Sequence, residues 1–492
     1  MASKSNIVMT FFPALARGSP TARRPSLVSI SMSNMPPVST SNAAATTDSR
    51  SGNAESVSSA GKGLYSEYFC DDNIFDEHGD FRYGGEKALT LKLQVLQLIA
   101  DKFPGVETER EPTLEMIGQG SFNVVVGVTL HPPKSRNDCN MSVGNKLTKL
   151  FTREPLRTFA LRLPLDSSGK LDGSTDNNVT RDIVTLQVIS SHLSIPVPQV
   201  IKYDPRTDNA VGRPFALQTR LAGESLQTLW ERLNMPQKLS AMEQVTKMTE
   251  KIARCTSPVA GYISESNRDL RSSAIHVDQF NVPTKAEAER RPQFAQPVTR
   301  PAPKQTPHEF LIDQCNRWIA YEATFAHDHH SRVLWGKLKK LINALEERKW
   351  LGDRFHLAHG DLFPRNILAE ITGPSTVKIT GIVDWDMASF APKFVALRAP
   401  FWGWMYDEQN EDGAYGDSYR EPGQLMKKAF RAAASKEYTE FGLSVESAVG
   451  RKLFTVLRYG LIRYGQRELA LQLLQQWHML HPSDHVQTFH LY

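Results

Sequence analysis

Asp361 and Asn366 stand five residues apart in His359-Gly360-Asp361-Leu362-Phe363-Pro364-Arg365-Asn366-Ile367-Leu368, and Asp384 follows eighteen positions later in Ile382-Val383-Asp384-Trp385-Asp386. This spacing restricts the fold more than any other feature of the chain. The first two residues share a loop, and Asp384 closes an apolar strand. A fold that brings them together gains one carboxylate able to accept a hydroxyl proton and two oxygen ligands for a metal ion, which are the parts phosphoryl transfer requires. The competing reading, that His, Asp and Asn cap a surface turn, does not account for the second motif at a matching separation.

The two segments resemble the HGDLxxxNIL and IVDWxxA patterns of the aminoglycoside phosphotransferase and choline kinase superfamily, over residues 359–368 and 382–388. The resemblance implies an α+β, bilobal protein-kinase-like fold, with a small antiparallel-sheet N-lobe and a mainly helical C-lobe. It also implies that Asp361 is the catalytic base, that His359 belongs to the catalytic set by shaping the loop, and that Asn366 and Asp384 hold magnesium. ATP would be the donor, and a hydroxyl of a small molecule the acceptor. Gly360 stands where a protein kinase has Arg, Trp385-Asp386 stands where it has Phe-Gly, and no A-P-E follows, so peptide substrates are not expected.

The chain has 492 residues, enough for two or three domains at roughly 150 residues each, and its 40% apolar content supports sizeable cores. A net charge of +5 is small for this length and the basic residues are scattered, so no nucleic-acid-binding stripe is present. No run of about eighteen apolar residues occurs, and no transmembrane span is expected. Cys70, Cys139, Cys255 and Cys315 lie far apart without a C-x-x-C pair, which gives neither a zinc site nor a disulfide framework. Residues 1–62 are rich in Ser, Ala and Pro, with no acidic residue before Asp48. They predict a disordered tail, with an organelle transit peptide as the alternative. The matching locations are cytoplasmic and mitochondrial. Oligomeric state is left open.

Residues 63–222 are expected to form the N-lobe. Leu89, Leu93, Leu96, Ile99 and Ala100 recur at helical spacing within 86–103, predicting a helix on that lobe. Apolar alternation at 114–117, the turn Gly118-Gln119-Gly120-Ser121 and the Val-rich run 124–128 predict two strands joined by a tight turn. By the resemblance Gly118, Gly120 and Ser121 would cover the ATP phosphates; the other reading is hairpin turn chemistry alone. A polar loop from 131 to about 157 precedes a third strand over 158–164.

Arg162 in that strand stands where the family has a phosphate-binding Lys, and Asp182, opening a helix over 182–193, where it often has Glu. An Arg162–Asp182 fork could replace the usual pair; alternatively the two are unrelated surface charges. The substitution also motivates a second reading of the whole chain, as a pseudokinase or nucleotide-binding scaffold. Pro196-Val197-Pro198 holds extended backbone. Residues 215–223 predict the last small-lobe strand and a linker, where the backbone from Thr219 to Leu221 would meet adenine; an edge strand ending at Gly223 fits the same residues.

Residues 223–492 would form the C-lobe, with helices over 225–233, 241–255, 308–325, 333–348, 445–464 and 466–480, and a strand over 377–383 presenting Asp384. Residues 263–307, rich in Arg, Pro, Gln and Ser, predict an exposed insertion. Phe401, Trp402, Trp404 and Tyr406 precede Asp407, Glu408, Glu411, Asp412 and Asp417. Because the resemblance puts the acceptor pocket in this stretch, these groups could hold a cationic amine; the other reading is core followed by a solvated loop.

Overall fold

The computed structural model describes residues 86–102, 112–119, 123–130, 157–165, 179–267, 274–282, 299–324, 329–405 and 421–486. The expected tail, Gly120, Ser121, the loop from 131 and the acids between 407 and 417 lie outside them. The described chain is an α+β fold with two lobes, each with its own apolar core.

In the small lobe, β1 (Thr113–Gln119), β2 (Asn123–Leu130), β3 (Arg157–Pro164), β4 (Val200–Asp204) and β5 (Phe215–Thr219) form an antiparallel sheet in the order β1-β2-β3-β5-β4. Val124, Val126 and Val128 of β2 and Leu161 and Leu163 of β3 point to one buried face, as alternate β-branched and apolar residues dictate. Helix α1 (Glu86–Lys102) covers that face. The helix is where its periodicity predicts, but it turns the other way. Leu91, Val95, Leu98 and Ile99 are buried, while Leu89 and Leu93 are exposed. Both sets have helical spacing, and the sheet's position decides between them.

Helix α2 (Val179–His192) starts three residues before its expected position. It sends Ile183 against β4 and β5 and Val184, Leu186, Val188 and Ile189 into the large-lobe core. The short β6 (Glu224–Ser225) and α3 (Leu226–Trp230) lead into α4 (Met235–Ala253). An Asn234/Gln237 capping box fixes the start of α4.

The large lobe is more sheet-rich than the helical periodicities predict. β7 (Thr256–Ser257), β8 (Gly261–Ile263), β9 (Val277–Asp278), β10 (Phe355–Ala358) and β13 (Ser389–Pro392) pair in the order β7-β10-β13-β8-β9. Strands of two to four residues leave almost no alternation to detect. The segment expected to be an exposed insertion supplies β9 and buries Val277, Phe280 and Val282. Phe280 packs against Tyr262, Phe310 and Phe454.

Around this sheet lie α5 (Pro307–Glu322), α6 (His329–Glu347), α7 (Lys393–Ala396), α8 (Glu421–Ala433), α9 (Lys436–Leu443), α10 (Val445–Tyr459) and α11 (Gln466–Leu480). No helix among the described residues is long and apolar enough to cross a membrane. A third sheet positions the site: β11 (Ile367–Gly373) pairs antiparallel with β12 (Thr376–Ile382), and β6 with β11.

Candidate active site

The catalytic loop follows β10, makes a 3-10 turn at Pro364–Asn366 and runs into β11. Ile367 pairs with Ile382 at the open end of the β11–β12 hairpin. Asn366 and Asp384 are thereby brought to the same place, and Val383 N–H donates to the Asn366 carbonyl at 3.0 Å. Asn366 Nδ2 donates to the Asp361 carbonyl at 2.9 Å and to its Oδ2 at 2.8 Å. An Arg365 guanidinium nitrogen donates to the other carboxylate oxygen, Oδ1, at 2.6 Å. With its amide nitrogen committed, Asn366 keeps an amide oxygen that accepts no hydrogen bond from the described residues.

His359 is buried against Trp385, with ring centroids 4.4 Å apart. The Asp361 N–H donates to its Nδ1 at 3.3 Å, so Nε2 carries the proton and donates to the Val383 carbonyl at 3.0 Å. Burial pushes its pKa down to about 4. Both ring nitrogens are engaged with backbone, so His359 clasps the catalytic loop to the end of β12 and has no proton to exchange with a substrate. Gly360 sits at φ +83°, where an added Cβ would strike the Met387 carbonyl.

Asp384 adopts the left-handed conformation, φ 66° and ψ 60°, which a non-glycine residue holds only where its surroundings enforce it. Its side chain is 48% exposed. Desolvation by the surrounding protein, with like charge from Asp386, raises its pKa to about 6. Arg162 reaches this loop from β3, but its partner differs from the expected one. It forms a two-pronged bridge to Asp386, at 3.0 Å to Oδ1 and 2.7 Å to Oδ2, and lies 3.5 Å from Asp384. Asn123, opening β2, adds a 3.4 Å contact to the same carboxylate. Burial works against the Arg162 charge, and Asp386 outweighs it, holding the pKa above the ordinary arginine value.

Asp182 lies nearby without a hydrogen bond from Arg162; its nearest cation is Arg181 at 3.8 Å. Burial, then the charge of Asp386, raises its pKa to about 7. Asp386 therefore takes the place expected of Asp182. The two are 204 positions apart in the chain, and the D-x-D spacing at 384–386 was the only sequence signal for the second.

In the small lobe, Gly118 lies within β1 at a bulge, paired with Val125, and a Cβ there would meet nothing among the described residues. In the linker, Thr219 N–H is committed to the Gln199 carbonyl at 2.9 Å and Arg220 N–H to the Thr158 carbonyl at 3.4 Å, whereas Leu221 N–H makes no backbone bond among the described residues. The Leu221 side chain lies against Gly381 of β12. Phe401, Trp402 and Trp404 are 2%, 6% and 8% exposed and belong to the large-lobe core. These rings are core, the second of the two readings of that stretch.

The donor set is one amide oxygen, from Asn366, and the Asp384 carboxylate. Hard oxygen donors in this small number fit magnesium, which is held by one or two protein groups together with substrate phosphates and water. No group of three or more His, Cys, Asp or Glu side chains suited to a metal ion occurs among the described residues.

A family model described as "Phosphotransferase enzyme family" matches residues 145–395, half of the chain and the whole of the stretch from His359 to Ala388. The chain belongs to the phosphotransferase enzyme family. Among this phosphotransferase's curated relatives is a subtelomeric hrmA-associated cluster protein of Aspergillus fumigatus, 22% identical over 290 residues, covering 50% of the chain and 56% of the relative. The chain thus spans little more than half of that relative's length. A second, the altered inheritance of mitochondria protein 9 of Clavispora lusitaniae, is 24% identical over 140 residues, 28% of the chain and 21% of the relative. Among solved structures, a thermostable mutant of aminoglycoside phosphotransferase APH(4)-Ia, in ternary complex with AMP-PNP and hygromycin B, is 15% identical with a TM-score of 0.38, covering 78% of the chain and 96% of that structure.

Proposed function

We propose that this phosphotransferase moves the γ-phosphoryl group of ATP to a hydroxyl of a small molecule. The observation that carries the reading is the Asp361–Asn366–Asp384 arrangement: a carboxylate anchored by Asn366 and Arg365, beside an amide oxygen and a second carboxylate suited to one metal ion. Asp361 would orient the acceptor hydroxyl and take its proton as the new oxygen–phosphorus bond forms and the bond to the β,γ-bridging oxygen breaks, with ADP leaving. Asn366 and Asp384 would hold magnesium, whose chemistry here is neutralising phosphate charge. His359 keeps the loop in place through backbone bonds. Gly118 leaves open space beside the phosphates, and the linker near Leu221 would meet the adenine; Gly120, Ser121 and Thr219 remain part of that proposed nucleotide side.

A second reading, a nucleotide-binding scaffold with little turnover, is favoured by one observation. Both prongs of Arg162 rest on Asp386, where a phosphate-binding residue would need a free head. Thermal shift with magnesium and ATP, on wild type, Asp384→Ala and Asp361→Asn, separates the two. A ligand bound to the folded state raises Tm by mass action. The kinase reading expects a magnesium-dependent rise, lost in Asp384→Ala and kept in Asp361→Asn, with phosphoryl transfer in Asp361→Asn down by about 100- to 10,000-fold. A magnesium-dependent rise without transfer to any acceptor leaves the scaffold. No rise at millimolar nucleotide would sink both.

A further inference from the structure

Strand alternation sends Phe215 and Leu217 of β5 into the small-lobe core, so Ala216 and Gln218 point to the opposite face of the sheet. Arg162 of β3 stands directly across from Ala216 and reaches Asp386 from that same face. Gln218 is one cross-strand pair nearer the linker, opposite the partly exposed Ala160. Val125 of β2, paired with Arg162, adds a second apolar side chain to this face, and the Arg220–Glu115 ion pair covers Gly127 beyond it.

Gln218 is 4% exposed, and its Nε2 is enclosed with no hydrogen-bond partner. A buried amide is ordinarily hydrogen-bonded. The residues opposite it on the two flanking strands, Ala160 and Val200, have no polar side chain to offer. Three residues further along, Leu221 N–H is without a backbone partner among the described residues. An apolar surface with one amide and one N–H at its border matches the flat face and polar edge of a purine.

We infer that Gln218 reads the group at C6 of the purine and takes it in either chemical form, so that guanine and hypoxanthine nucleotides bind in place of ATP. This rests on the kinase reading above and deepens it. The 6-amino group of adenine donates and needs an acceptor, whereas a 6-oxo group accepts and needs a donor. A glutamine amide carries both, and the end it presents is fixed by whatever else holds it. Nothing holds the nitrogen of Gln218. It is enclosed here, and a half-turn of the amide exchanges it for the oxygen.

The test uses the full chain with magnesium and four triphosphates that differ at the base: ATP, GTP, ITP and purine riboside triphosphate, which has no group at C6. Dissociation constants are measured by calorimetry on wild type and Gln218→Leu, and Tm is followed alongside. Wild type should bind ATP, ITP and GTP within about tenfold of one another. Each should bind about five- to tenfold more tightly than the unsubstituted purine, the worth of one hydrogen bond. Gln218→Leu should erase that advantage by weakening the three C6-substituted nucleotides alone. It should keep or raise Tm, because an enclosed unpaired donor is removed with the amide. Gln218→Met repeats the comparison with an unbranched side chain.

Wild-type binding of ATP tighter than both ITP and GTP by more than about tenfold overturns the inference. So does an advantage over the unsubstituted purine that survives in both variants, which would make Gln218 a packing residue only. Absence of magnesium-dependent binding of all four nucleotides by wild type counts instead against the kinase reading itself.

Discussion

At the scale of single residues, the site depends on one backbone position and one buried ring that sequence patterns mark without explaining. Gly360 sits at φ +83° against the Met387 carbonyl, which leaves no room for a Cβ. Gly360→Ala should cost about 1–3 kcal/mol and reduce transfer, as melting and turnover measurements would show; an unchanged Tm would mean the loop relaxes freely. His359 gives a signed pH effect. Its folded pKa, about 4, lies below the ordinary 6.5, so the unfolded chain takes up the proton first as pH falls. The stability it supports is present above about 6.5 and lost toward 4, up to about 3 kcal/mol. Denaturation of wild type and His359→Gln across that window should show a steeper acid loss in wild type; parallel curves would contradict the buried neutral ring. That His359, Asp361, Asn366 and Asp384 come together was legible because they lie within 26 positions of one another. The partner of Arg162 was not, because Asp386 lies 224 positions away and only the folded chain chooses between it and Asp182.

At the scale of elements, legibility follows length and periodicity. Four of the small-lobe strands, β1, β2, β3 and β5, carry apolar runs long enough to be recognised, whereas β7, β8 and β9 are too short to show a period and draw their stability from pairing across the chain. Helix α1 is the instructive intermediate case, since its residues support two apolar stripes and only the sheet beneath selects one. Leu98→Ala should therefore cost about 2–5 kcal/mol by opening a cavity, while Leu93→Ala stays within about 0.5 kcal/mol. Chemical denaturation of the two variants checks the assignment, and the reverse order would restore the stripe that spacing alone suggested. The aromatic run at 401–404 has the same ambiguity: composition permits a ligand cage, and burial against Trp230 and Phe430 makes it core.

At the scale of the whole molecule, the lobes are joined by α2, which sends Val184, Leu186, Val188 and Ile189 into the large-lobe core and packs Ile183 against Ala216 of β5, and by the Arg162–Asp386 bridge. Asp386→Asn removes the charge that compensates Arg162 and should lower stability by about 2–3 kcal/mol. Amide exchange should quicken in β3 and in the 384–388 loop together; quickening in one alone would show that the bridge does not tie them. The hairpin β11–β12 has a different bearing, on descent. Because Ile367 faces Ile382 at its open end, the separation of Asn366 and Asp384 in space is set by cross-strand register. The number of residues between them is not what fixes it. Lineages can add or remove matched pairs of residues toward the far turn, drifting in sequence spacing while the mouth of the hairpin stays as it is. A kinship judged by counting positions would miss such relatives, and one judged by which residue faces which would find them.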